Sequence, residues 1–404
     1  MMNDLFAQRV NPDVSSALAG LFPQDPNPTA VTFAAGSPNE QLFPVKEVQA
    51  AFNTAIDTQG AHLFQYQSAQ GNSALREKLV TRIAKWGNVT TTADNILLTV
   101  GGQQGVELVA KTLLNPGDDI IVEVPTYIGA LAAFDLYQPH YHAVPLQADG
   151  LDLDVLETTL QQHPNVKLLY TVPDYHNPTG ITMSVAKRQQ LVALANRYHF
   201  IILEDTPYRD LGYEGAPLPA IKSFDTEGRV IFLSSFSKIL MPALRTGWLI
   251  ADGELRDAIL KMRLASDLET TGVIHAAINA YLDANDLDAH IQRMTTHYKQ
   301  QRDAMLQSLT HYFPDEALFT HPAGGFFDWV TLPQDIDTGR LMLDIISPQA
   351  HVTYVPATNF YPQRDVHNAL RLSFSGVNPT QIDAGMHRLG DQLKNAVHAA
   401  YPVF

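Results

Sequence analysis

The chain has no cysteine among its 404 residues. Disulfides, thiolate metal ligands and a cysteine nucleophile are therefore excluded, and the composition suits a cytoplasmic protein in any redox state. It also lacks an excess of positive charge. Lys and Arg number 27 against 42 Asp and Glu, a net −15 with His neutral, which repels nucleic acid and anionic membranes. No apolar run reaches the roughly 18 residues of a spanning helix, and no basic stretch followed by an apolar one opens the chain. Neither a membrane nor a nucleic-acid partner is expected. Internal repeats and low-complexity tracts are missing. The 15 histidines show no ligand spacing, so no metal is expected.

What is present is a long chain that is 45% hydrophobic, enough for a large core and two domains. Strand-like runs at Ile96 to Val100, Asp119 to Val124, Val166 to Val172, Phe200 to Asp205, Val230 to Ser234 and Gly247 to Ala251 mostly alternate with helical periodicity. That rhythm predicts an α/β fold with a mostly parallel sheet covered on both faces. Beyond about Asn285 the rhythm changes: a long helical stretch from Ile291 to Leu309, then Phe326 to Val330, a helix near Asp337 to Ile346, and the strand-like His351 to Val355. A smaller α+β domain is expected there, joined by the Pro-rich N-terminal segment. The expected division is 1–45 as part of the small domain, 46–285 as the large domain and 286–404 as the rest of the small one.

One stretch carries chemistry. Ser234-Ser235-Phe236-Ser237-Lys238, followed by Arg245-Thr246-Gly247-Trp248, sets a lysine among small hydroxyls with an arginine close behind. Such a lysine suits Schiff-base formation with an aldehyde, and the hydroxyls and guanidinium suit a phosphate dianion. Pyridoxal phosphate meets that description, although a lysine beside serines also fits a solvated surface. Pro173-Asp174-Tyr175-His176-Asn177-Pro178-Thr179-Gly180 follows an apolar strand-like run, and Ile201-Ile202-Leu203-Glu204-Asp205-Thr206-Pro207-Tyr208 is another such run ending in a carboxylate. Ligands of parallel sheets sit outside the carboxyl ends of strands. Asp205 there would keep a pyridine nitrogen protonated, and Asn177 with Tyr208 would hydrogen-bond a ring phenolate. An ordinary turn and a helix N-cap fit the same residues taken singly. Arg371 stands mid-strand in Ala369-Leu370-Arg371-Leu372-Ser373-Phe374-Ser375 and needs a partner, which a buried acid would supply in a structural ion pair.

From about Phe33 to Gly376 the chain resembles fold-type I, pyridoxal-phosphate-dependent aminotransferases of class I/II, in the branch with 2-aminoadipate, kynurenine and aromatic aminotransferases. The resemblance rests on Gly101-Gly102-Gln103-Gln104, Pro125-Thr126-Tyr127, Asn177-Pro178-Thr179-Gly180, Asp205 with Tyr208, Ser235-Phe236-Ser237-Lys238, Arg245 and Arg371-Leu372-Ser373-Phe374-Ser375, in that order. It implies a seven-stranded-type sheet in the large domain and transamination between an L-amino acid and a 2-oxo acid, with glutamate and 2-oxoglutarate as one pair. Lys238 then forms the internal aldimine and shuttles the proton. Gly102 and Gln103 hold the phosphate at a helix N-terminus, Tyr127 stacks on the ring or packs on the sheet, Arg371 binds the substrate carboxylate, and Gly36 lets the N-terminal segment lie close to the substrate. Tyr66 resembles the tyrosine that reaches the phosphate of a neighbouring subunit, which implies a homodimer with shared sites. The chain departs from many relatives at Gly102, where they carry Ser, at Met241, where they carry Gly or Ala, and at His176, where Gln is frequent. Together with Asp174, His176 bears on substrate identity, and a backbone-bonded loop histidine is its plainer reading. A β-lyase or decarboxylase on the same cofactor is the alternative reaction. A ligand-sensing domain fused to a DNA-binding module fits poorly, because the segment before Phe33 is short and not basic.

Overall fold

The computed structural model describes residues 5–10 and 27–398. Residues 1–4 and 11–26 of the expected N-terminal segment, and 399–404 of the expected small domain, lie outside the described residues. The strands are β1 (Val31–Thr32), β2 (Ile96–Thr99), β3 (Asp119–Val124), β4 (His140–Gln147), β5 (Gly150–Leu151), β6 (Leu168–Thr171), β7 (Ile201–Asp205), β8 (Val230–Ser235), β9 (Gly247–Ile250), β10 (Leu318–Phe319), β11 (Phe327–Thr331), β12 (Val352–Thr353), β13 (Val355–Pro356) and β14 (Ala369–Ser373).

Eight of them form one sheet in the order β2-β9-β8-β7-β6-β3-β4-β5. The neighbours from β8 to β4 are parallel, β9 runs against both β2 and β8, and β5 closes a short hairpin on β4. The side-chain alternation of a strand divides the core in two. In β6, Leu168 and Tyr170 join the cluster under the helices Gly101–Leu113 and Ile128–Asp135, whereas Leu169 joins the opposite cluster with Leu156, Leu160, Leu191 and Ala195. A strand buried on both faces reads as a continuous apolar run, which is why β2, β3 and β6 to β9 are visible in the sequence. β4 is not. Its sequence HYHAVPLQ holds two histidines and a proline, and only Val144 is fully buried. The sheet therefore has eight strands where seven are implied by resemblance, the eighth being the two-residue β5.

The C-terminal half adds a four-stranded antiparallel sheet, β10-β11-β14-β13. Its Leu370 and Leu372 pack on the long helices Leu287–Tyr312 and Pro379–His398, through Met305, Leu309, Met386 and Leu389. Near it β1 pairs in parallel with β12. The peptide N–H of Phe33 donates to Thr353 and its carbonyl accepts from Ser373, both at 2.8 Å. These bonds carry the N-terminal strand past β14 and deliver Gly36 to the mouth of the large sheet.

Candidate active site

Five loops leave the large sheet at carboxyl ends of parallel strands. The one after β2 opens the helix Gly101–Leu113, that after β3 carries Tyr127, that after β6 carries Asn177, β7 ends in Asp205, and Lys238 follows β8. With Gly36 and Arg371 from the other half, they enclose a cavity of about 230 Å³. Gly102, Gln103, Tyr208, Ser235, Ser237 and Arg245 complete the sequence-derived set around it. Tyr66 does not join them: it is 78% exposed.

One end of the cavity is a set of donors. Ser235 Oγ accepts from the Ser237 peptide N–H at 2.9 Å and lies 2.8 Å from Ser237 Oγ. Arg245 Nη1 lies 3.5 Å from the same Ser237 Oγ, and its Nη2 donates to the Val100 carbonyl at 3.1 Å. The guanidinium is pressed onto the first turn of the helix Gly101–Leu113, where a Cβ on Gly101 would sit 2.5 Å from Arg245 Nη2 at a backbone φ of +72°. Only glycine fits that approach. Gly102 beside it faces open space, with no atom of the described residues within 4 Å of where a Cβ would stand, so the missing serine is not a steric requirement. Free helix N–H groups, two hydroxyls and a guanidinium make this end a phosphate cradle. Gln103 lines it while donating to the Gly129 carbonyl at 2.6 Å.

Deeper in, Asp205 is buried and accepts a hydrogen bond from Tyr170 at 2.8 Å. No cation pairs with it among the described residues, and burial pushes its carboxyl up to about 7 against the help of the phenol. Tyr170 escaped the sequence reading. It sits mid-strand in β6, and only the register Tyr170↔Leu203 brings it within reach of the residue two places further along β7. Tyr208 packs edge-on against Phe326 and Phe327 and accepts a long hydrogen bond from Asn177 at 3.5 Å. Burial also raises the Tyr127 phenol to about 12, keeping it neutral.

Lys238 Nζ donates to the Gly36 carbonyl at 2.8 Å. Burial, with the charges of Arg371 and Arg245, lowers its amine to about 8. Arg371 donates to Asn177 Oδ1 at 2.9 Å and to the Ala34 carbonyl, and its guanidinium lies over the rings of Phe327 at 4.3 Å and Phe360 at 5.2 Å. It is buried, its Nε has no hydrogen-bond partner among the described residues, and burial lowers it to about 10. Phe327, the second residue the sequence did not reveal, packs so closely on Gly36 that a Cβ there would meet its ring at 2.4 Å.

Asp174 and His176 lie off the cavity. Asp174 is held between Arg188 and Arg209 at 2.6 and 2.7 Å. His176 accepts the Thr179 peptide N–H at 3.3 Å and turns Nε2 toward buried Glu123 at 3.2 Å. Both brace the loop that presents Asn177.

An uncompensated acid facing a cavity, a low-pKa lysine, a half-satisfied arginine and an anion cradle fit the ring nitrogen, aldehyde and phosphate of pyridoxal phosphate with an amino acid beside it. Comparison with known proteins agrees. Residues 29–389 match the model of "Aminotransferase class I and II". An aromatic-amino-acid aminotransferase from Thermococcus litoralis is 38% identical over 368 residues, 90% of this chain and 88% of that protein. A 2-aminoadipate transaminase from Thermus thermophilus is 30% identical, covering 94% of each. The crystal structure of a Pyrococcus horikoshii kynurenine aminotransferase superposes with a TM-score of 0.92 at 35% identity, over 98% of both chains. A cavity with this chemistry at the carboxyl ends of this sheet, and relatives alike over nearly their whole length, place the chain in the aminotransferase class I and II family of pyridoxal-phosphate-dependent transferases.

Proposed function

We propose that the protein exchanges an amino group between an L-amino acid and a 2-oxo acid, glutamate and 2-oxoglutarate forming one pair, with Lys238 as the catalytic residue. The observation that carries this reading is the convergence of Lys238, Asp205 and Arg371 in one cavity. Bound pyridoxal phosphate supplies an electron sink for the charge that develops at the substrate Cα. Gly102, Gln103, Ser235, Ser237 and Arg245 hold its phosphate. Asp205 balances the protonated ring nitrogen, Asn177 and Tyr208 serve the ring oxygen, and Tyr127 covers the ring. Arg371 takes the substrate carboxylate as a bidentate pair, with Gly36 letting the backbone close over it. Lys238 would anchor the cofactor through Nζ, and its amine, lowered to about 8 by burial and the Arg371 and Arg245 charges, would be placed to take the substrate Cα proton and return it.

Purified protein should be yellow, and a panel of amino donors with 2-oxoglutarate should form glutamate. Lys238→Ala should abolish turnover and the covalent cofactor band while retaining cofactor noncovalently. Release of CO₂ or ammonia without glutamate would instead identify a decarboxylase or β-lyase, and a protein that cannot be made yellow would remove the reading altogether.

The division into 1–45, 46–285 and 286–404, a cytoplasmic location and a homodimer with shared sites belong to the same proposal. Supporting the dimer, Phe64 and Tyr66 are 66% and 78% exposed, and Gln67 of the same loop bonds Glu269 beside Leu268, itself 58% exposed. An apolar surface of this kind suits an interface. Inactive Lys238→Ala and Tyr66→Ala proteins, unfolded and refolded together, should recover roughly a quarter of wild-type activity, because about half the dimers are hybrids with one intact site. No recovery in demonstrated hybrids would separate Tyr66 from the partner's site.

A further inference from the structure

At the amino end of the large sheet, three side chains far apart in sequence gather at one point. Asp119 opens β3, His142 lies in β4, and His163 caps the helix Leu153–Gln162. Ligand atoms of the three all lie within 4.8 Å of one another. His142 Nε2 is 2.8 Å from Asp119 Oδ1, and the rings of His142 and His163 are stacked at 3.8 Å with 30° between their planes. The parallel register explains the gathering. Asp119 pairs with His140 and Ile121 with His142, so alternation puts Asp119, His140 and His142 on one face of the sheet. That face also carries Ile121, which packs with Leu156 and Leu160 of the helix that ends at His163. His140 Nδ1 stands 3.8 Å from Asp119 Oδ1, and its ring is 72% exposed.

We propose that Asp119, His142 and His163 bind a divalent transition-metal ion of the zinc or cobalt class, with His140 as a fourth ligand. Two or three imidazoles and one carboxylate match these borderline cations and not the all-oxygen shells of calcium or magnesium. Tetrahedral bonds of about 2.0 to 2.1 Å put ligand atoms about 3.4 Å apart. To reach it the His142 to Asp119 spacing opens by about half an ångström and the His142 and His163 rings rotate out of their face-to-face contact. The ligands come from two strand ends and a helix end, all partly exposed, so an ion can enter from solvent and pin the helix to the sheet edge. The site is separate from the catalytic cavity. β3 runs from Asp119 to Val124, six residues that span about 17 Å at the usual rise, and the cavity lies beyond its far end.

The test uses tag-free holoenzyme treated with a chelator and then dialysed. Titration with Co²⁺, followed by its visible d–d bands, and with Zn²⁺ by calorimetry should give one ion per chain with a Kd of about 1 µM or tighter. His142→Ala and His163→Ala should each weaken binding at least about 100-fold, and His140→Ala about tenfold, with the cofactor band unchanged. Thermal unfolding without metal shows whether each variant is folded. If one is not, X-ray absorption at the cobalt edge of the wild-type protein reads imidazole scattering from the bound ion without any substitution. No binding at about 100 µM, wild-type affinity in a folded His142→Ala or His163→Ala protein, or an edge spectrum without imidazole would each overturn the proposal.

Discussion

Asp174 and Asp205 are both buried aspartates at carboxyl ends of neighbouring parallel strands, 4% and 5% exposed, yet they have opposite electrostatics. Burial disfavours ionisation at each. At Asp174 the Arg209 and Arg188 guanidiniums overcome it and hold the carboxyl below its usual range, whereas at Asp205 a single phenol does not and the group rises to about 7. The arginines divide in the same way. Arg188 donates to Met183, Pro219, Pro173 and Asp174 at 2.6 to 3.1 Å, but Arg371 keeps an Nε unpartnered among the described residues. A closed set of partners marks a brace. An open one marks a place where a ligand completes the balance.

The largest effect expected from breaking this contrast is at Asp205. Asp205→Asn removes the charge that balances a protonated ring nitrogen, and kcat should fall about 10³-fold with the structure retained. The same variant tests the raised pKa. An acid whose folded pKa lies above its unfolded value stabilises the fold fully below the unfolded value near 3.8, and that contribution is lost as pH rises through about 7. Cofactor-free wild type should therefore lose stability between about pH 4 and 8 relative to Asp205→Asn, measured by urea midpoints across that range. Parallel profiles would show that Asp205 is not held protonated by its site.

Arg371→Ala comes next. Loss of about 3 kcal/mol for a charge-assisted pair lowers kcat/KM for every α-amino acid by roughly two powers of ten. Amines without a carboxylate should be indifferent to the change, and equal losses for both would assign Arg371 to structure.

The smallest effect on turnover is expected at Asp174. Asp174→Ala strands Arg188 and Arg209 as buried unpaired charges, so denaturant unfolding should show a loss of about 3 to 5 kcal/mol. The folded fraction should turn over nearly as wild type, because His176 and Thr179 still present Asn177. A large fall in kcat without a fall in stability would place Asp174 in the chemistry.

Much of this site was legible along the chain. Lys238 among serines, Asn177 after one strand, Asp205 ending another and Arg371 in an alternating strand are local patterns, because strand periodicity and turn chemistry act over a few residues. Strand β4, next to the short edge strand β5, was not legible, since a half-exposed strand with histidines and a proline has no apolar run to announce it. The two phenyl and phenol partners, Phe327 and Tyr170, were hidden for a different reason: their identities are those of any core aromatic, and only neighbouring strands tell what they touch.

The order of residues set the kinds of chemistry available and their succession along a βα rhythm, which places each functional loop at the carboxyl end of its strand. Tertiary structure alone decided that Asp174 is neutralised and Asp205 is not, that the Gly36 carbonyl meets Lys238, and that Asp119, His142 and His163 share a corner. These outcomes depend on strand register and on contacts between segments as far apart as Gly36 and Lys238. Such contacts are chosen by the burial of whole faces during folding, a long-range balance that no short window of residues contains.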